Sequence, residues 1–104
     1  MERIEKLKEF LLADPDDSFV KHALALEYQK RGDSITARRL LEEVLVKDPA
    51  AVGSYYQLAK LLEEMGETAE AIAWYKKGME AAKGAGERRA YNELQAGYDD
   101  LVGE

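Results

Sequence analysis

Apolar residues return every three or four positions along almost the whole chain, the interval at which side chains share one face of an α-helix. Leu7, Phe10 and Leu11 do so first, followed by Leu24, Ala25 and Tyr28. Tyr55, Leu58, Ala59 and Leu62 repeat the spacing, and Tyr91, Leu94 and Tyr98 close it. Helix-ending residues stand between these runs. Proline has no amide to donate and restricts the residue before it, so Asp14-Pro15 and Asp48-Pro49 each end one helix and open the next. Gly32 and Gly66 follow helical runs, where a left-handed cap is needed. Asp33-Ser34 and Glu67-Thr68 can then satisfy the free amides of the following helix. The pattern predicts helices over 2–13, 17–31, 34–47, 51–65, 68–83 and 87–102. Helices this short are not reliably stable alone, so stability should come from contacts between neighbours along an array.

The punctuation is itself periodic. Shifting the chain by 34 residues lays Asp14-Pro15 on Asp48-Pro49, Leu24-Ala25 on Leu58-Ala59, Gly32-Asp33 on Gly66-Glu67, and Ala37 on Ala71. Alanine at 25, 37, 59 and 71 lets paired helices approach closely, because larger side chains would push the axes apart. The unit is therefore helix, tight turn, helix, proline turn, and it occurs twice.

This arrangement resembles the tetratricopeptide repeat family, in the form of a small bacterial-type protein. The second unit reads Tyr55-x2-Leu58-Ala59-x2-Leu62, Gly66, Ala71-x3-Tyr75. The first reads Lys21-x2-Leu24-Ala25-x2-Tyr28, Gly32, Ala37-x3-Leu41, closed by Pro49. Lys21 departs from the family's large apolar residue, and Lys83 stands where a closing proline is usual. The resemblance implies an all-α fold, a right-handed superhelix of antiparallel helix pairs with about six helices. The expected organisation is one domain over 1–104: an N-terminal helix over 1–17, repeats over 18–51 and 52–85, and a capping helix over 86–104. The last helix is displaced by two residues through a Gly84-Ala85-Gly86 turn.

In this family the first helices of successive pairs line a concave groove that receives a peptide segment. Helical spacing assigns to that face Phe19, His22, Leu26 and Lys30, then Tyr56, Gln57 and Lys60, then Arg89 and Asn92. Phe19, His22, Leu26 and Tyr56 would hold an inserted apolar side chain, since aromatic anchors dominate many interfaces. Phe19 and Leu26 also admit a packing role beneath the N-terminal helix, and that reading is preferred for Phe19; Tyr56 is expected in the groove. A subfamily grips the C-terminal carboxylate of chaperones with Lys, Asn and Arg on these faces. The matching positions include His22, Leu26, Gln57, Arg89 and Glu93, which fit that chemistry poorly, and Glu93 would repel a carboxylate.

Composition narrows the alternatives. The chain has 104 residues, 46% hydrophobic and 35% charged, which suits a folded protein with long solvated helix faces. A net charge of −6 and the lack of a basic patch argue against nucleic acid and anionic membranes. No window approaches a span of ~20 apolar residues. Cysteine is absent, which removes disulfides and thiolate metal sites, and the default compartment is the cytoplasm. His22 is the only histidine and has no nucleophile constellation around it; it reads as a groove or surface residue. Asp16-Asp17 and Asp99-Asp100 lack the convergent oxygens of a cation site. Trp74 and Tyr75 read as core, Trp74 between the fifth and sixth helices. The expectation is a non-catalytic, cofactor-free adaptor for a protein or peptide, monomeric unless its terminal helices stack or exchange between copies. The charged outer positions of the terminal helices look like caps against stacking.

Overall fold

The computed structural model describes residues 2–103. Among the described residues there are six α-helices and no strand: α1 Glu2–Ala13, α2 Ser18–Lys30, α3 Ser34–Lys47, α4 Val52–Glu64, α5 Thr68–Ala85 and α6 Arg88–Val102. All lie within about two residues of the positions that the periodicity predicts. The chain divides into two compact units, Met1–Asp48 with α1–α3 and Pro49–Glu104 with α4–α6.

In the first unit α2 packs against both α1 and α3. Asp17 and Asp33 open α2 and α3 by accepting the amides of Val20 and Thr36, each at 3.1 Å. Gly32 takes φ 84°, where a Cβ would be strained, and its turn lets the Asp33 amide reach the Tyr28 carbonyl at 2.9 Å. Ala25, Ala37 and Leu41 are wholly buried, with Leu24 and Val44 nearly so. Lys21 keeps the place that an apolar residue usually fills. Its stem is largely covered and its ammonium pairs with Glu43 of α3 at 3.3 Å. In the second unit the corresponding residue, Tyr55, is buried and donates its hydroxyl to the Pro49 carbonyl at 2.8 Å.

In the second unit α5 lies between α4 and α6, which also touch each other. Ala59, Ala71, Leu58, Leu61, Leu62 and Tyr75 are wholly buried. Two glycines set how closely the helices approach. A Cβ on Gly78 would lie 2.7 Å from the Tyr55 Cβ, and one on Gly97 would lie 2.6 Å from the Tyr75 ring. Neither glycine has a positive φ, so space rather than backbone conformation requires them.

Three local expectations are corrected. Gly84-Ala85-Gly86 is not a turn: Gly84 and Ala85 continue α5, and only Gly86 turns left-handed, at φ 71°. Lys83 explains this, because without proline nothing stops the helix there, and α5 reaches 18 residues against 14 for α3. Glu67 makes no side-chain cap bond at the start of α5, unlike Asp33 at the matching position of α3; its longer side chain is a poorer cap. Trp74 contacts Tyr55 of α4 at 5.9 Å between ring centroids, and the Lys77 ammonium lies 4.5 Å above its own ring. It is half-buried against α4 instead of lying between α5 and α6.

Candidate functional site

The face of α2 is set by what α1 covers. Ile4 and Leu7 of α1 are buried, Arg3 pairs with Glu27 at 2.9 Å, and the Lys8 ammonium lies 5.9 Å from the Tyr28 ring. These contacts place α1 on the Glu27–Tyr28 side of α2. Phe19 lies on another side and is 82% exposed, so the expected packing beneath α1 does not occur. His22 and Leu26 are half-buried, and Lys30 is exposed, its ammonium 3.4 Å from Glu27. Burial holds the His22 imidazole below its ordinary pKa, so the neutral ring is favoured.

On α4, Tyr56, Gln57 and Lys60 are all half-buried. The edge of Tyr56 meets Tyr75 at 6.4 Å and 70° between ring planes, which limits its freedom. Beneath it Tyr75 donates its hydroxyl to Glu63 at 2.8 Å, and Lys60 lies 3.6 Å from the same carboxylate oxygen. Burial and that carboxylate raise the Tyr75 pKa well above its ordinary value. Tyr75 therefore stays neutral, and Glu63 links the core ring to a surface cation.

On α6, Arg89 and Asn92 are exposed and meet in a shallow depression with Arg88, Glu93 and Ala96. A ligand there would find donors from Arg89 and Asn92 beside the opposing carboxylate of Glu93. The residues assigned from spacing thus form one face on α2, a second on α4 and a third on α6. Helical spacing alone does not reveal the Glu63–Tyr75 bond or the two close-packed glycines. Only the three- and four-residue spacing of Gly78 from Tyr75 and Ala82 hinted at the inward position of Gly78.

The tetratricopeptide repeat model matches residues 28–97, more than half of the chain. The chain belongs to the tetratricopeptide repeat family. A solution structure of a tetratricopeptide repeat domain protein from Salinibacter ruber is similar at 39% identity and TM-score 0.81, over 85% of this chain and 89% of that one. A protein from Bordetella parapertussis is similar at 25% identity and TM-score 0.82, over 95% and 86% of the two chains. The type III secretion translocator chaperone SycD of Yersinia enterocolitica shares the fold at TM-score 0.87 and 18% identity, over 95% and 69%. No curated protein sequence matches this one. Repeats of this family are generally non-catalytic modules that bind proteins, and the fold is that of an interaction scaffold. No helix among the described residues is long and apolar enough to cross a membrane.

Proposed function

We propose that this repeat protein is an adaptor that binds a peptide or protein segment on the faces of its first helices. Membership of a family of protein-binding repeats supports this reading. Phe19, His22, Leu26 and Lys30 meet one part of the ligand; Tyr56, Gln57, Lys60, Arg89 and Asn92 meet another. The observation that carries this reading is the exposure of Phe19 at 82% on the first turn of α2. Burying a phenylalanine left in water stabilises a complex by about 1.5–3 kcal/mol, so a partner gains from covering it. Half-buried Leu26 and His22 flank it at helical spacing. Tyr56, held against Tyr75, presents a ring whose ordering cost has already been met within the fold.

The test pairs two exposed apolar residues. The native chain, Phe19→Glu and Ile35→Glu are used to capture proteins from source-cell lysate, and the captured partner is then purified and titrated. Ile35 is 76% exposed on α3, a second helix, so its change controls for general loss of apolar surface. A partner lost by Phe19→Glu and kept by Ile35→Glu is the expected result. Loss with Ile35→Glu alone would move the interaction to the second helices and overturn the reading.

A further inference from the structure

The two repeats build matching helices with different charge on their outer faces. On α3, Arg38 pairs with Glu42 at 3.1 Å and Arg39 with Glu43 at 3.3 Å, so this face neutralises itself. The 34-residue shift replaces the two arginines with Ile72 and Ala73, and the two glutamates with Lys76 and Lys77. Lys76, Lys77 and Lys83 are all exposed, and among the described residues none of them forms an ion pair. Lys76 lies 5.9 Å from the Tyr98 ring and Lys77 lies 4.5 Å from the Trp74 ring; these contacts orient the ammonium groups without cancelling their charge. Glu80 is the single acid between them. A chain of net charge −6 thus carries a positive stripe along α5 that its fold does not require, since α3 forms the same kind of helix without one.

We propose that the outer face of α5 docks an acidic polypeptide segment, with Lys76, Lys77 and Lys83 pairing to its carboxylates. Seven helical residues separate Lys76 from Lys83, a rise of about 10 Å. Acids three residues apart on an extended strand span about the same distance, at roughly 3.3 Å per residue. Ala73 and Gly84 flank the lysines and let a strand's backbone approach. A polyanion such as nucleic acid fits less well, because three lysines offer few phosphate contacts and the rest of the chain is acidic. The site stands apart from the first-helix faces, and neither reading depends on the other.

The test titrates the full chain, at low ionic strength, with a short Ser/Gly peptide bearing glutamate at every third position. Calorimetry and the emission of Trp74, the only tryptophan, report binding. The expected result is saturable binding that is absent for the glutamine version of the peptide and largely lost by about 0.5 M salt. Lys76→Glu with Lys77→Glu, which copies the charges of α3, should weaken binding roughly tenfold, and Lys83→Glu alone roughly threefold. All three positions are exposed, and unchanged circular dichroism verifies folding. Equal binding by the reversed variant, or none by the native chain, would overturn the proposal. Tighter binding of a single-stranded oligonucleotide or of anionic vesicles would also overturn it. So would a concentration-dependent mass that the reversal abolishes, since the occupant would then be a second copy.

Discussion

Replacing Gly97 with alanine should destabilise the second unit, although alanine is the better helix former. Intrinsic propensity favours the change by about 1 kcal/mol in a helix interior. Sterics oppose it more strongly. The new methyl would sit 2.6 Å from Tyr75 Cε1 and 2.7 Å from both Cζ and Oη, where carbon contacts settle at about 3.5–4.0 Å. Tyr75 is wholly buried and its hydroxyl is fixed to Glu63 at 2.8 Å, so the ring cannot simply swing away. Overpacking of this kind costs about 1–3 kcal/mol, and straining the hydrogen bond about 1–2 more. The net loss is then roughly 1–4 kcal/mol, a fall in melting temperature of at least roughly 4 °C. Gly53→Ala and Gly84→Ala are the controls, because a Cβ at either position meets nothing within 4 Å. Each should leave stability unchanged or raise it by up to about 1 kcal/mol. Urea unfolding followed by circular dichroism measures all three. Tyr75→Phe removes the Oη contact, so Gly97→Ala should cost roughly 1 kcal/mol less in that background. If Gly97→Ala proves as stable as the native chain, or costs the same in both backgrounds, the close-packing argument is wrong.

Two further predictions concern pH. Burial lowers the His22 pKa from 6.5, so the unfolded chain takes up a proton first as the solution is acidified. Stability should fall as the pH drops through 6.5 towards the folded value, and His22→Gln should flatten that slope in urea midpoints measured over a pH series. Asp33 has its pKa lowered from 3.8, chiefly by the hydrogen bond from the Thr36 amide. Its contribution is present above 3.8 and lost as the pH falls through the lower folded value. Asp33→Asn, which keeps an acceptor but does not titrate, should therefore make the acid-unfolding curve shallower by circular dichroism.

Which parts of this structure the sequence revealed follows from the range of each signal. Proline, glycine and N-cap aspartate act within a few residues, so Pro15, Gly32, Asp33 and Gly66 marked helix ends to within about two positions. Alanines at 25, 37, 59 and 71 marked close helix contacts, and all four are wholly buried. Periodicity assigns a residue to a face without saying what the face meets. Phe19 shared a periodic face with half-buried residues, yet α1 settles on the Glu27–Tyr28 side and leaves it in solvent. Periodicity likewise turns Trp74 inward without showing that its neighbour is Tyr55 of α4. Gly84 looked like a turn because glycine permits one, but only Gly86 takes the left-handed conformation. Gly97 gives no local sign of its role and Gly78 only its inward spacing, since the rings and leucines that crowd them come from other helices.

The position of the lone indole affects how unfolding can be observed. Trp74 belongs to the second unit, packed against Tyr55 and beneath Lys77, so its emission follows the loss of structure there alone. Circular dichroism instead averages over all six helices. Coincident transitions by the two probes would mean that the halves share one cooperative event, while separated transitions would give each half its own stability. A single native chromophore thus measures, without labelling, how far the coupling between repeats extends.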